Sequence, residues 1–575
     1  MSALRTIPKQ SWLLAGFSGV LQVVIFPKPG WSALSWICLA PLLYALLNPP
    51  SVEVLSAAED TLRDRPHALT IAQGFWLGYL SGIIWYAGSC YWIYRTMLLY
   101  GGLSPVMSAI VLFLFSCYLG LYHAAFGAFL ARVSQKKMFA GARALLVAPF
   151  LWTAVELARS RITGFPWDPM GNAVVDNIPL TRLATITGVY GLSFVVATVN
   201  VIFAAIFLVP PARKRRFALA AVAVALILHA GVLVSPRDFS ATHIARLVQQ
   251  NLPIFEPGVW TAAFYEKTIS EIVQVSGGTR VSGENLAQKG ASPHLIIWPE
   301  SPAPFYVNDP KFRDSVSRLA SAKDAFVIAG SLGLESPQSS EEKTRVFNSA
   351  ALVGPSGAFL ARYDKIHLVP FGEYVPFQSL LFFAEKLTRE VGTFSRGKQR
   401  NVFTLSRQGL SPETMDHMRH GEMAPSPAVV TSNSGAGANT AGVFICYESV
   451  FPDEVRRFAL NGAQVFVNIS NDGWYGDSSA PLQLLDMSRM RSIESGRWLL
   501  RATNTGITSS IDPYGRVVAR AERNVRTVLD APYAFVSGTT FYTRHGDWFA
   551  YGCAIISLAA VFVRFNLRAA VLRST

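Results

Sequence analysis

Charge is what this chain has least of. Only 15% of its 575 residues are Asp, Glu, Lys or Arg, where a soluble domain carries about a quarter. With 51% hydrophobic residues and a mean hydropathy of +0.30, that shortage argues against a wholly soluble protein and for an integral membrane one. Cysteine is scarce too, with five in all. Cys38, Cys90, Cys117 and Cys553 lie in strongly apolar runs and read as small buried hydrophobes. Cys446 alone sits in the polar part of the chain, so it has no disulfide partner there. No CxxC motif or Cys/His pair at zinc spacing occurs, and neither a metal nor a cofactor is expected. Internal repeats of the solenoid kind are also absent.

The apolar residues are gathered into runs. About eight are long enough to cross a bilayer, on the rule that roughly 20 apolar residues span the hydrocarbon core. They are Ser11–Phe26, Trp31–Leu47, Ile71–Tyr94, Val106–Leu130, a short Ala144–Leu157 containing Glu156, Ile186–Val209, Phe217–Val234 and, far away, Phe549–Phe565. The first lacks an A-x-A cleavage pattern and reads as an uncleaved helix. The net charge of +14 invites a nucleic-acid reading. The basic residues instead cluster in short loops: Arg5 and Lys9, Arg132 to Arg143, Arg213 to Arg216, and Arg564 to Arg573. With eight spans all four clusters fall on one side, which the positive-inside rule makes cytoplasmic. No nucleic acid is expected as partner, and both termini are placed in the cytoplasm.

Three parts follow: a bundle of seven spans (1–234), an extracytoplasmic domain (235–548), and a last span with its tail (549–575). The middle part alternates strand-like runs (Ile244–Gln249, His294–Trp298, Ala325–Ser331, Ala350–Gly354, Val443–Cys446, Val465–Ile469) with helical ones such as Phe312–Ala322 and Asp453–Asn461. Gly354-Pro-Ser-Gly357 and Asp512-Pro-Tyr-Gly515 look like hairpin turns. The fold class is α/β, a layered sandwich attached to a helical membrane bundle. Gln399–Ala441, rich in Ser, Gly, Pro, His and Met, reads as a mobile surface insertion, and its His417 and His420 as solvated loop residues.

Three segments carry chemistry. In Val443-Phe-Ile-Cys446-Tyr447-Glu448 an apolar strand ends at a thiol; a nucleophile there needs a nearby cation or base to become thiolate. In Ile296-Ile-Trp-Pro-Glu300 a strand runs out into an acid, where a half-buried carboxylate serves as general base or simply caps a helix. Tyr363-Asp-Lys365-Ile-His-Leu-Val-Pro-Phe-Gly-Glu373 is a loop that presents side chains. Its lysine would stabilise a thiolate and later an oxyanion, and Glu373 would orient it. Arg491, Glu494, Arg497 and Arg501 fall at helical spacing and read as structural ion pairs.

In that order, Glu300, Lys365 and Cys446 resemble the Glu-Lys-Cys triad of the nitrilase (carbon-nitrogen hydrolase) superfamily. Asn468-Ile-Ser-Asn-Asp-Gly-Trp-Tyr-Gly476, Arg491-Ser-Ile-Glu-Ser-Gly-Arg497 and Arg501-Ala-Thr-Asn-Thr-Gly506 agree with it. Spans on both sides, His367–Pro376, Ile445–Glu448 and Gly164-Phe-Pro-Trp167 narrow the likeness to the membrane-embedded apolipoprotein N-acyltransferases. The resemblance implies an α-β-β-α sandwich with Glu300 as base, Lys365 on the oxyanion and Cys446 as nucleophile. Glu373, Tyr447, Glu448 and Asn348 match further positions that family needs, and Trp260 is the candidate for its early tryptophan. It also implies a phospholipid acyl donor, a diacylglyceryl apolipoprotein acceptor, an inner-membrane location with the catalytic domain periplasmic, and a monomer. Trp474 and Tyr475 line the acyl entrance or pack in the core. Phe382 and Phe383, in the apolar run Phe377–Phe383, form either an interfacial arm or a core helix. Two other readings stand beside it: a membrane-tethered amidase that uses the same triad but passes the acyl group to water, and a transporter or scaffold whose outer domain only binds, which the spans permit and the Glu-Lys-Cys constellation argues against.

Overall fold

Apolar runs become helices only where the backbone can close its own hydrogen bonds, because a bilayer offers no water to do so. In a computed structural model the described residues are 7–47, 69–135, 140–207, 211–235, 238–254, 260–278, 293–300, 303–335, 344–370, 372–374, 394–405 and 438–562. The N-terminal helices are α1 (Lys9–Val24), α2 (Ala40–Leu47), α3 (Ile71–Ser89), α4 (Trp92–Leu99), α5 (Pro105–Ser134), α6 (Ala140–Ile162), α7 (Val189–Ile206) and α8 (Pro211–His229). Among the described residues, three helices are long and apolar enough to cross a membrane: Pro105–Ser134, Val189–Ile206 and Ala212–Leu233.

Several expected spans are interrupted. Trp31–Leu47 is not one helix: a 3-10 segment, Ser32–Trp36, precedes α2. The backbone freed at that break is satisfied by Asn200 on α7, whose Oδ1 accepts from Leu39 and Ala40 N–H (2.7 and 3.0 Å) and whose Nδ2 donates to Ser35 O. The run from Ile71 breaks at Cys90–Tyr91, so α3 and α4 are separate. Ile186–Val209 is divided at Gly188, whose φ of +68° ends a short helical turn before α7 begins. The short Ala144–Leu157 run extends to the 23 residues of α6. Phe377–Phe383, with Phe382 and Phe383, lies outside the described residues, as do His417 and His420.

Beyond the bundle, twelve strands among the described residues make two six-stranded sheets. The first contains β1 (His243–Gln249), β2 (Leu295–Ile297), β3 (Phe326–Glu335), β4 (Arg345–Val353), β5 (Phe359–Asp364) and β12 (Thr527–Tyr533), in the order β12-β1-β2-β3-β4-β5. The second contains β6 (Val402–Thr404), β7 (Thr440–Ile445), β8 (Val465–Ser470), β9 (Trp498–Thr503), β10 (Ser509–Ile511) and β11 (Val517–Arg520), in the order β11-β10-β9-β8-β7-β6. Each sheet has a parallel trio, β1-β2-β3 and β7-β8-β9, flanked by antiparallel strands. The turns at Gly357 and Gly515 join β4 to β5 and β10 to β11, each at positive φ. Strands at 402–404 and 440–441 narrow the insertion expected over 399–441.

Side chains alternate as a two-sided sheet requires. Leu295 and Ile297 enter the core shared with the second sheet, while Ile296 faces outward with Val327, Ala329 and Val353. On that outer face pack α9 (Ala262–Gly277) and α10 (Pro310–Lys323), through Ile269, Ile272, Phe312, Val316 and Leu319. The second sheet carries α11 (Pro452–Leu460) and α12 (Ala480–Ser495). The layering is α-β-β-α. α13 (Trp548–Phe562) returns to the bundle against α6.

Candidate active site

The parallel strands of both sheets end at one edge, and the reactive side chains sit just past them. Trp298-Pro-Glu300 follows β2, Lys365 follows β5, and Cys446 follows β7. The sheets meet there: Asn471 N–H, past β8, donates to Glu300 Oε2 at 2.8 Å.

Around Lys365 the geometry is a four-membered knot. Its ammonium donates to Glu300 Oε1 (3.1 Å) and Glu373 Oε1 (2.9 Å). Asn348 Nδ2, on β4, donates to the same two oxygens at 2.7 and 2.8 Å. The backbone N–H of Val369 supplies Glu373 Oε2. All four side chains are buried. Burial by itself lowers the Lys365 pKa, but Glu300 and Glu373 outweigh it and hold the ammonium well above its ordinary range.

Cys446 opens a short 3-10 turn at φ +51°, a left-handed conformation unusual outside glycine. Burial and the nearby Glu300 carboxylate push the thiol well up; Lys365 and Ser470 pull it down without offsetting them. The sequence suggested a cation that makes the thiolate. Here one cation faces two carboxylates, so the resting sulfur stays protonated.

Glu448 ties the cysteine turn to the lysine loop. Its carboxylate accepts from Ile445 N–H (2.7 Å), Ile366 N–H (2.7 Å), His367 N–H (3.1 Å) and the Tyr363 hydroxyl (2.8 Å). Near Cys446, Asp472 and Arg501 form a fully buried pair in which both carboxylate oxygens accept from Arg501 Nη2; Asn468 Oδ1 accepts from Nη1 and the Ser470 hydroxyl donates to Asp472. This corrects the helical reading of four residues: Arg491 and Glu494 do pair on α12, but Arg501 lies on β9, and Arg497 donates to the Ala463 and Gly538 carbonyls.

The remaining candidates mark the bundle side. Tyr447 donates to Gly164 O at 3.2 Å, and its ring stacks on Trp167 at 6.4 Å. Tyr475 is buried against Trp92 and Trp167. Trp474 meets Tyr100, and its carbonyl accepts from Thr96. Gln483 locks the assembly, accepting from Trp167 Nε1 and donating to Ser89 O. Trp260 stands apart, at the start of α9 with Phe264 against the outer core. Sequence reasoning missed Asn471 and Gln483, because a backbone donor and a buried amide leave no motif.

Two family models match the chain: Apolipoprotein N-acyltransferase N-terminal domain over residues 18–202 and Carbon-nitrogen hydrolase over residues 245–536. The apolipoprotein N-acyltransferase of Geobacter metallireducens is 34% identical, covering 99% of this chain and 97% of its own. Those of Bradyrhizobium diazoefficiens (32%; 75% and 74%) and Ralstonia nicotianae (30%; 96% and 93%) are also similar. A solved amidase from Nesterenkonia sp. aligns with a TM-score of 0.34 at 17% identity, over 55% of this chain and 98% of that one, too slight a likeness to add to the fold.

Proposed function

The chain belongs to the apolipoprotein N-acyltransferase family and is an acyltransferase, and from that premise we propose that Cys446 carries the acyl group as a thioester. The supporting observation is the Lys365 ammonium held between Glu300 and Glu373 beside a strained cysteine turn.

The first substrate is a phospholipid. As Cys446 Sγ attacks its sn-1 ester carbonyl, the thiol proton passes to Glu300, and Lys365 receives the charge developing on the carbonyl oxygen. The ester C–O bond breaks, the lyso-phospholipid takes the proton from Glu300, and acyl-Cys446 is left. The α-amine of a diacylglyceryl-cysteine apolipoprotein then attacks the thioester, gives a proton to Glu300 and displaces the Cys446 sulfur, which takes that proton back from Glu300 and restores the starting thiol. A raised thiol pKa suits a concerted transfer, because the sulfur ionises only as the new bond forms. Asn348 and Glu373 position Lys365, and Glu448 fixes the distance between the lysine loop and the cysteine turn. Tyr447, Trp474 and Tyr475 form the wall that faces the lipid.

Residues 1–234 form the bundle, 235–548 the catalytic domain and 549–575 the last span. With eight spans both termini are cytoplasmic and the domain is periplasmic. We read the protein as a monomer.

The test starts from enzyme acylated with a phospholipid and freed of donor. Added diacylglyceryl-cysteine peptide should gain the acyl chain as an amide while the enzyme loses it. Release of free fatty acid, with the peptide unchanged, would mean transfer to water and defeat the proposal.

A further inference from the structure

The bundle holds a buried charge that the mechanism does not use. Arg159, on α6, is 2% exposed. Its Nη1 donates to the Tyr86 hydroxyl at 3.2 Å, and its guanidinium lies 5.1 Å from the Trp85 ring centre. Nε and Nη2 have no hydrogen-bond partner. A guanidinium inside a membrane bundle needs an anion or a full set of acceptors.

Neither neighbouring acid hydrogen-bonds the guanidinium, although Glu156 lies close enough to interact with it electrostatically. Glu156, one turn earlier, uses Oε1 to accept from Trp152 Nε1 (3.1 Å) and Met170 N–H (2.7 Å). Asp168 accepts from the Ser89 hydroxyl, and burial, with Asp486 nearby, pushes its carboxyl up to about 8, so at neutral pH it is mostly uncharged. Orphaned polar atoms crowd the segments around Arg159. Trp85 Nε1, Trp92 Nε1 and Asn172 Nδ2 join Arg159 Nε and Nη2 as unpartnered N–H donors, against Glu156 Oε2, Asp168 Oδ1, Asn172 Oδ1 and His123 Nδ1 as acceptors, with the Tyr190 hydroxyl able to act as either. The surplus is of donors, which suits an anion rich in acceptor oxygens. The place is near the chemistry: Ser89, one turn after Tyr86, accepts from Gln483, which accepts from Trp167, and Trp167 stacks on Tyr447, whose hydroxyl donates to Gly164, five residues after Arg159.

We propose that Arg159 binds the phosphodiester of the donor phospholipid on the bundle side of the catalytic turn. The inference rests on the phospholipid-donor reading above. Only a three-carbon glycerol separates that phosphate from the sn-1 ester, so a phosphate anchored beneath Tyr447 leaves the ester carbonyl at Cys446. Arg159 is thus a donor-recognition residue that takes no part in bond making.

The experiment follows acylation of Cys446 by intact mass with two donors, phosphatidylethanolamine in mixed micelles and p-nitrophenyl palmitate, which has no phosphate. Arg159→Met should raise the phosphatidylethanolamine concentration for half-maximal rate by about tenfold or more and leave the p-nitrophenyl reaction within about twofold; the second arm also shows that the variant is folded. Should Arg159→Met lose both reactions, Arg159→Lys decides: a rise confined to the phospholipid sustains the site, and an equal loss with both donors overturns it. An Arg159→Met response that is unchanged for phosphatidylethanolamine also overturns it. Inorganic phosphate provides the remaining arm: protection of wild type but not Arg159→Met against thermal unfolding, with phospholipid kinetics unmoved, would assign the site to free phosphate and overturn the lipid. If wild type takes an acyl chain from p-nitrophenyl palmitate but never from phospholipid, the donor reading itself has failed.

Discussion

At the scale of single residues the account turns on where protons rest. The buried Cys446 thiol has its pKa raised, so it holds its proton at neutral pH, and reaction with a reagent that needs thiolate grows as pH climbs. Iodoacetamide should therefore label Cys446 slowly at about pH 7 and ever faster through about pH 10, where an ordinary thiol levels off above about 8.5. Lys365→Met removes the one cation that lowers this pKa and should slow labelling further. A rate that levels off below about pH 7.5 would show a preformed thiolate instead. Glu448 is the second residue to test. Its carboxylate takes four donors at once, and an amide offers only one accepting oxygen. Glu448→Gln should cost about 1–3 kcal/mol in stability and slow acylation about 10–100-fold through misplacement. Thermal melting and acylation rates measured side by side check both. Glu300 and Cys446 stood out in the sequence because each follows an apolar run, and Lys365 because it stands in a stretch that mixes charge, apolar residues and prolines as a presenting loop does. Asn471 was not, since what it offers Glu300 is a main-chain N–H.

Among the elements, what could be read depended on whether a segment's own side chains decide its shape. The β2, β3, β7 and β8 runs are apolar on both faces and stand out. β11 is a four-residue strand with no buried member, and β9 carries Arg501 in its core. Neither looks like a buried strand. The breaks at Ile37–Leu39 and Gly188 depend on distant partners, Asn200 for one and Tyr542 for the other. The α3–α5 contact was legible and overlooked. Gly74, Gly78 and Gly82 repeat every fourth residue on α3 and face Gly120, His123 and Gly127 of α5. Helices in lipid associate by such close approach of small residues. A Cβ on Gly78 would run into the His123 carbonyl. Gly78→Leu should therefore force the helices apart and destabilise the bundle by about 1–3 kcal/mol, visible as a lower melting temperature in detergent. An unchanged melt would mean the two helices do not depend on that contact.

For the molecule as a whole, the catalytic sandwich and the bundle are one mechanical unit. Arg161 of α6 pairs with Asp453 of α11 and with Asp547 ahead of α13. Glu494 of α12 accepts from Val189 N–H at the start of α7 (2.9 Å). Gln483 joins α12 to Ser89 and Trp167. Such couplings between residues hundreds of positions apart leave no trace in sequence; only the runs and loop charges did, and these fixed an expected orientation. It is checked by labelling spheroplasts of a bacterial host with a membrane-impermeant maleimide. A cysteine at exposed Ala241 should react from outside and one at exposed Arg215 only after lysis. The reverse pattern would invert the proposed topology.

The central claim, an acyl group carried on Cys446, is tested most directly by weighing the intact protein after incubation with phospholipid and no acceptor. The account predicts a gain of one fatty acyl chain that neutral hydroxylamine removes and that Cys446→Ala abolishes. A gain that survives in Cys446→Ala, or no gain with any phospholipid alongside ammonia release from small amides, would contradict it.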